Sequence, residues 1–342
     1  MIPIHNVYYM LSYAFQILNE QSYKSIATEQ FHNTADLMAA ILSKGIATQI
    51  KCGLGKEYIL RTEALSSLRG KMDITESIKT QTILKKQMRC TYDEFSVNGT
   101  KNRIIKSTLE LLLKSDIPKY RKKELRKLII FFSEVENIDL HSVNWNIKYD
   151  RNNKTYRMLI SICYLVVNGL LQTNLDGNTK IMDFLDEQSM FRLYEKFILG
   201  YYKKHYAELS PSASRIPWSV DNTRMLPIMQ SDIHLQKNNT VLIIDAKYYS
   251  HTTQVKYDNH TLHSNNMYQI FTYVKNCDYA FGEEEHKVSG MLLYAKTEEE
   301  IQPDNIYQMH GNQITVKTLD LNQKFDIIAK QLDDIVKSHF DI

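Results

Sequence analysis

Apolar side chains recur at helical spacing from the start of the chain. Ile4, Val7, Tyr8, Leu11, Ala14, Phe15 and Leu18 predict an amphipathic first helix. Leu37, Met38, Ile41, Leu42 and Ile46 predict a second over residues 35–50, stopped by Gly53. Residues 58–95 break the rhythm: apolar pieces are interrupted by Ser66-Ser67 and Arg69-Gly70-Lys71, so short strands and long loops are expected, with 68–73 an exposed basic turn. The helical pattern resumes at Asn102 and ends before Pro118. Residues 119–127 (KYRKKELRK) predict a helix with a solvated basic face, while Leu125, Leu128, Ile129 and Phe132 are buried; contact with a DNA backbone is the alternative for that face. Trp145 and Tyr149 predict a strand, 150–154 a loop and 156–171 a strongly apolar helix. The turn-rich stretch 175–179 places a domain boundary near residue 180.

The second half changes period. A helix over 187–206 is striped by Phe191, Tyr194, Ile198, Tyr201 and Tyr202, with Glu195 at the stripe's border. Residues 210–222 form a loop carrying Trp218. Two strands follow, about 229–236 and 241–249; the second opens with an unbroken apolar run suited to burial on both faces. Lys237-Asn238-Asn239-Thr240 supplies the turn. A helix opening near Ser264, a buried strand over 290–295, an edge strand over 313–319 and an amphipathic helix through Phe325, Ile328, Leu332, Ile335 and Val336 complete a mixed sheet flanked by helices.

The candidate chemistry lies in the hairpin. If Gln236 pairs with Val241, Asp232 stands opposite Asp245. Opposed carboxylates in an antiparallel pair repel, with Cβ atoms roughly 5 Å apart, and a divalent cation with oxygen ligands is the natural compensation. Lys247, two residues beyond Asp245, points to the same face. The bland alternative is an ion pair at a strand end. Gln269 and Tyr273, four apart on one helix face, follow the Asp245-Ala246-Lys247 strand; alone, such a pair is helix surface. Glu195 is either a solvated border residue or a third acid reaching this site.

Composition narrows the classes. The 342 residues suffice for two domains, and the apolar and charged fractions of 43% and 24% are ordinary for globular proteins. A net charge of +3 permits a nucleic-acid partner without requiring one. Cys52, Cys90, Cys163 and Cys277 are scattered, so neither a disulfide framework nor a zinc site is expected. No apolar run is long enough for a bilayer, and a cytoplasmic protein with no membrane partner is expected. Gly53-Leu54-Gly55-Lys56-Glu57 lacks phosphate-loop spacing, so no bound nucleotide is expected.

The Asp232, Asp245-x-Lys247 pattern resembles the signature of the PD-(D/E)xK nuclease superfamily, and the chain is similar nearly end to end to the McrC family, the nuclease subunits of McrBC-type modification-dependent restriction systems. The residues carrying this resemblance are Ile4-His5-Asn6-Val7-Tyr8-Tyr9-Met10-Leu11-Ser12-Tyr13-Ala14, Asn102-Arg103-Ile104-Ile105-Lys106-Ser107-Thr108-Leu109, Ile244-Asp245-Ala246-Lys247-Tyr248-Tyr249, and His263-Ser264 with Asn266, Tyr268, Gln269 and Tyr273. The resemblance implies an α+β domain at 1–180 that docks on and stimulates an McrB-like AAA+ GTPase hexamer, and an α/β restriction-endonuclease-like domain at 181–342. It implies Mg²⁺ or Mn²⁺ held by Asp232, Asp245 and the Ala246 backbone carbonyl, with Lys247 assisting the attacking water. Gln269, Tyr273 and Glu195 would support DNA and the site, and methylated double-stranded DNA would be recognised by the partner. Arg69 and Lys71 would lie near the tip of an element projecting into the hexamer. Ser231 stands where the superfamily carries proline. A GTPase activator with a vestigial nuclease site and a standalone exonuclease are the alternatives.

Overall fold

The computed structural model describes residues 2–19, 23, 26, 28–149, 153–173, 187–256 and 259–340. The boundary expected near 180 and most of the loop expected at 150–154 lie outside them. The chain divides into two compact units, one of residues 30–184 and one of residues 1–29 with 185–342. This differs from a division of 1–180 and 181–342: the first helix, α1 (Ile4–Ala14), belongs with the second half of the chain.

The unit of residues 30–184 begins with α2 (Thr34–Cys52), whose first turn is capped by the Asn33 side chain accepting from Asp36 N–H and whose end is turned by Gly53 at φ 87°. Strands β1 (Glu57–Leu65) and β2 (Lys71–Asp73) both pair antiparallel with β3 (Met88–Ser96), and α3 (Ile74–Lys79) connects the second to the third. Where short strands were expected, β1 and β3 run nine residues each in continuous register. Ser66, Ser67, Arg69 and Gly70 fall in the connection between β1 and β2, and the polar residues within β1 and β3 lie on a largely exposed sheet, which tolerates them. Helices α4 (Thr100–Lys114), α5 (Lys119–Ile129) and α6 (Lys154–Thr173) complete the unit.

Two expectations fail here. Trp145 and Tyr149 lie in irregular chain rather than a strand; the Trp145 ring meets Tyr164 edge-on at 5.2 Å, so its burial needs no ladder. Within the basic run, Arg121 turns inward, 4% exposed, with Nε 3.1 Å from Asp36 Oδ1 and Nη1 2.7 Å from Glu124 Oε2. A guanidinium can be buried when its fork is matched this way.

In the other unit, α7 (Glu187–His205) packs against α1. Two short strands, β4 (Arg215–Ile216) and β5 (Met229–Gln230), pair antiparallel. The main sheet has the order β11 (Asn305–Met309), β12 (Asn312–Leu319), β10 (Lys287–Ala295), β7 (Thr240–Lys247), β6 (Ile233–Lys237). The inner pairs β12–β10 and β10–β7 are parallel and the outer pairs antiparallel. A small hairpin of β8 (Gln254–Lys256) and β9 (Asn259–Thr261) follows β7. Helix α8 (Ser264–Ala280) joins β7 to the parallel β10, and α9 (Phe325–His339) closes the chain against β12. The expected edge strand at 313–319 is interior, flanked by β10 and β11, and accordingly its Ile314, Val316 and Leu319 are buried. The α8 N-cap is His263 rather than Ser264, and its side chain makes no capping hydrogen bond. Among the described residues no helix is long and apolar enough to cross a membrane.

The core sets how close the layers come. Ile270, Tyr273 and Val274 of α8 pack on Val241, Ile243, Leu292, Ile314 and Val316, each buried Ile, Leu or Val contributing about 1.5–3 kcal/mol. Gly290 permits the contact, since a Cβ there would lie 2.6 Å from Val274 Cγ2. At the seam of α1 with α7, a Cβ on Gly200 would lie 2.2 Å from the Tyr13 carbonyl oxygen. Asn6 Nδ2 donates to Leu321 O and Gln323 O, both at 2.8 Å, and Tyr9 stacks on Phe325 at 4.3 Å. These contacts are why residues 1–29 fold with 185–342. Gly200→Ala should therefore destabilise the protein by about 1–3 kcal/mol, the cost of overpacking a tight seam. Urea unfolding checks this; wild-type stability would mean the seam opens freely.

Candidate active site

Strand β7 lies between β6 and β10, and every residue from Val241 to Lys247 is buried. Side chains alternate along it, so Val241 and Ile243 face the α8 core and Asp245 and Lys247 continue that face towards the strand's carboxyl end. There the apolar stripe of α8, Ile270 and Val274, gives way to Gln269. The site is the polar end of the hydrophobic core.

The hairpin register is Ile233↔Ile244, Gln236↔Val241 and Lys237↔Thr240. Lys237 and Thr240 thus belong to the strands, and the turn is only Asn238-Asn239, with Asn238 at φ 54°. One step beyond the ladder, Asp232 comes opposite Asp245. The expected continuous strand over 229–236 breaks at this point: Met229 and Gln230 pair with β4, Ser231 N–H donates to Ser214 O at 3.0 Å, and Asp232 sits in a bend. The bend turns the carboxylate back on the neighbouring strand, where Asp232 Oδ2 accepts from Ala246 N–H at 2.9 Å.

Asp245 is 1% exposed and Lys247 5%. Lys247 Nζ lies 2.7 Å from Asp245 Oδ2 and donates to Gln269 Oε1 at 3.2 Å; Gln269 Nε2 in turn donates to Tyr273 OH at 3.0 Å. Both oxygen and nitrogen of the Gln269 amide are therefore engaged. Beside this relay is one that sequence reasoning missed as part of the site: Tyr249 OH reaches Asn266 Oδ1 at 3.3 Å, and Asn266 Nδ2 donates to Tyr294 OH at 3.0 Å. The signal was present, since Asn266 lies three residues before Gln269 on the same helix. Arg69 and Lys71 are exposed in the other unit, Arg69 with its guanidinium 4.4 Å over the Tyr92 ring.

The charges disturb one another. Burial, then repulsion from Asp245 and Glu195, holds the Asp232 carboxyl well above the ordinary carboxylate range, against the pull of the Ala246 N–H. Glu195, half-buried on α7, is pushed up to about 7 by burial and then by Asp245, opposed by Lys247, Lys196 and Arg192. Burial pulls Lys247 down, but Asp245 outweighs it and the ammonium is held above its usual value. Glu195 thus belongs electrostatically to the group.

The donor set suits a hard divalent cation: two facing carboxylates in a water-poor corner, with the Ala246 backbone carbonyl at the same strand end. Among the described residues no three His, Cys, Asp or Glu side chains surround one point. The remaining coordination would therefore be water, which small hard cations retain.

Fold and site define an α+β protein whose mixed five-stranded sheet carries two acids and a lysine at the end of a buried strand. More particularly, the chain belongs to the family described as McrBC 5-methylcytosine restriction system component, matched over residues 5–295. It is 27% identical over 342 residues to the Type IV methyl-directed restriction enzyme EcoKMcrBC of Escherichia coli (strain K12), with 98% of this chain and 97% of that protein covered. Among solved structures it is similar to a half-complex from a tetradecameric assembly of Thermococcus gammatolerans McrB AAA+ hexamers with bound McrC, at TM-score 0.48 and 16% identity over 97% of this chain and 76% of that one. The Thermococcus gammatolerans McrBC complex aligns at TM-score 0.39 and 17% identity, over 59% and 58% of the two chains.

Because the folded protein binds the Glu195 proton more tightly than the unfolded chain, this group favours folding below its ordinary value of 4.5, and that advantage disappears as pH rises through about 7. Without divalent cations, the melting temperature of Glu195→Gln should therefore decline less than that of wild type between pH 5 and 8. Superimposable profiles would remove Glu195 from the charge group.

Proposed function

We propose that the chain is the endonuclease subunit of an McrBC-type restriction complex, hydrolysing phosphodiester bonds of double-stranded DNA with Mg²⁺ or Mn²⁺ and assembling with an McrB-like AAA+ GTPase that it stimulates. The observation carrying this reading is the convergence of Asp232, Asp245 and Lys247 at the buried end of β7, with Lys247 held by both Asp245 and Gln269. Membership of the family over residues 5–295 supports the restriction context and the partner.

In this reading Asp232, Asp245 and the Ala246 carbonyl hold the cation, which supplies Lewis acidity towards the phosphate and a lowered pKa for water. Lys247 presents a permanently charged ammonium to the phosphate oxygens and the attacking water. Its position is set by Gln269, which is set in turn by Tyr273. A preoriented cation in a dry pocket stabilises developing negative charge without reorganisation, an effect worth roughly 10²–10³ in rate per donor. Gln269 and Tyr273 are positioning residues, because they act through Lys247. Glu195, close enough to share charge with Asp245, supports the same corner. The engaged relay favours a working centre over an activator whose nuclease site has decayed.

Asp245→Ala should abolish DNA cleavage in the presence of partner, GTP and Mg²⁺, while the complex still assembles on gel filtration. Undiminished cutting by that variant sinks the proposal. Lys247→Met should lower the cleavage rate by roughly 10²–10³. Independently of activity, Mg²⁺ should raise the melting temperature of the wild type but not of the Asp232→Asn, Asp245→Asn double variant, since a ligand bound only by the folded state stabilises it. Equal shifts in both proteins would place the cation elsewhere.

A further inference from the structure

The basic run of α5 is an unneutralised face. Helical geometry puts Lys119, Lys122, Lys123, Arg126 and Lys127 on one side and Arg121, Leu125 and Leu128 on the other. Four of the five are exposed and Lys122 is half-buried. Arg121, the sixth cation, is the one that turns inward to Asp36 and Glu124. Among the described residues none of the remaining five has an ion-pair partner, and Glu124, the only acid in the run, is engaged by Arg121.

Nothing local accounts for this arrangement. Neighbouring like charges on a helix destabilise it. The first turn carries no acid, and Pro118 offers no side-chain cap, so Lys119, Lys122 and Lys123 crowd the positive end of the helix dipole. Repulsion within the helix and from its dipole both oppose the placement. Conflicts between local preference and fold mark functional surfaces. The face is also wrong for a protein interface, where lysine is depleted and aromatic residues dominate the buried centre. Residues 119–127 span roughly 12 Å of helix, a length over which a DNA duplex carries about seven phosphate charges.

We propose that this α5 face is a second DNA contact, binding the phosphate backbone of duplex DNA without reading sequence. The inference rests on the reading of the chain as a DNA-cleaving subunit. Such a contact would give that subunit a hold on the duplex that does not depend on the candidate cation site, which the other unit carries.

The test is fluorescence anisotropy of the full chain with a labelled 30-bp duplex, without divalent cations, across a salt series. Each phosphate contact contributes about 0.9 to the slope of log K against log salt. The variant Lys119→Gln, Lys123→Gln, Arg126→Gln, Lys127→Gln should bind with a slope shallower by about 3.6, while Lys119→Arg, Lys123→Arg, Lys127→Arg keeps the wild-type slope. Thermal melting confirms that each variant is folded. A wild-type slope in the glutamine variant overturns the proposal. So does unchanged DNA binding combined with failure to assemble with the GTPase, which would make the face a dock for an acidic protein surface. Either outcome leaves the nuclease reading standing if the Asp245→Ala experiment supports it; a wild-type chain that neither binds duplex nor cuts it with its partner removes both.

Discussion

The structure depends on an electrostatic conflict placed at the end of a hydrophobic strand. Burying two carboxylates side by side is costly, and β7 makes the cost unavoidable, because the apolar residues that fix its register also carry Asp245 into the interior. In the protein as it stands the compensating charge is internal: the Lys247 ammonium lies against Asp245, and the Ala246 amide serves Asp232. Neither is enough to restore ordinary acidity to Asp232 or Glu195, both of which are raised. The corner is therefore short of positive charge, and under the proposed function a divalent cation would supply it.

The rest of the unit serves to hold this corner still. Gly290 lets α8 sit deep on the sheet, which brings Gln269 within reach of Lys247 and Asn266 within reach of Tyr294. On another side, α1 is sealed to α7 and to the 321–325 segment by Asn6 and by stacked aromatic rings. A helix from the start of the chain thus braces the element that carries Glu195. The unit of residues 30–184 is built on different terms, with a largely exposed sheet and a basic helix whose one buried cation is fully matched.

Much of the helical content was legible because 3.6-residue periodicity survives in any context: α2, α4, α6 and α7 lie within a few residues of their predicted spans. The register of the hairpin that carries Asp232 and Asp245 was legible for a related reason. Strand alternation allows only one pairing that keeps the apolar run inside, so Asp232 opposite Asp245 followed from Gln236 opposite Val241 even though the turn is two residues shorter than expected. The break at Ser231 was not legible, since it depends on a carbonyl of Ser214 brought from a distant segment. The interior place of β12 was hidden for the same cause: an edge strand differs from an inner one only by its neighbours.

By itself the sequence determined which residues could do chemistry and on which face each would point, because periodicity and side-chain type are local properties. Only the tertiary structure decided which of them share a field. It drew Glu195 from a helix border into the charge of Asp245, tied Gln269 and Tyr273 to Lys247, and folded residues 1–29 with the far end of the chain. It also separated Arg121 from five cations that the sequence presents as equals. The physical reason is the same in each case: burial and charge depend on what lies opposite in space, and residues distant in sequence supply it.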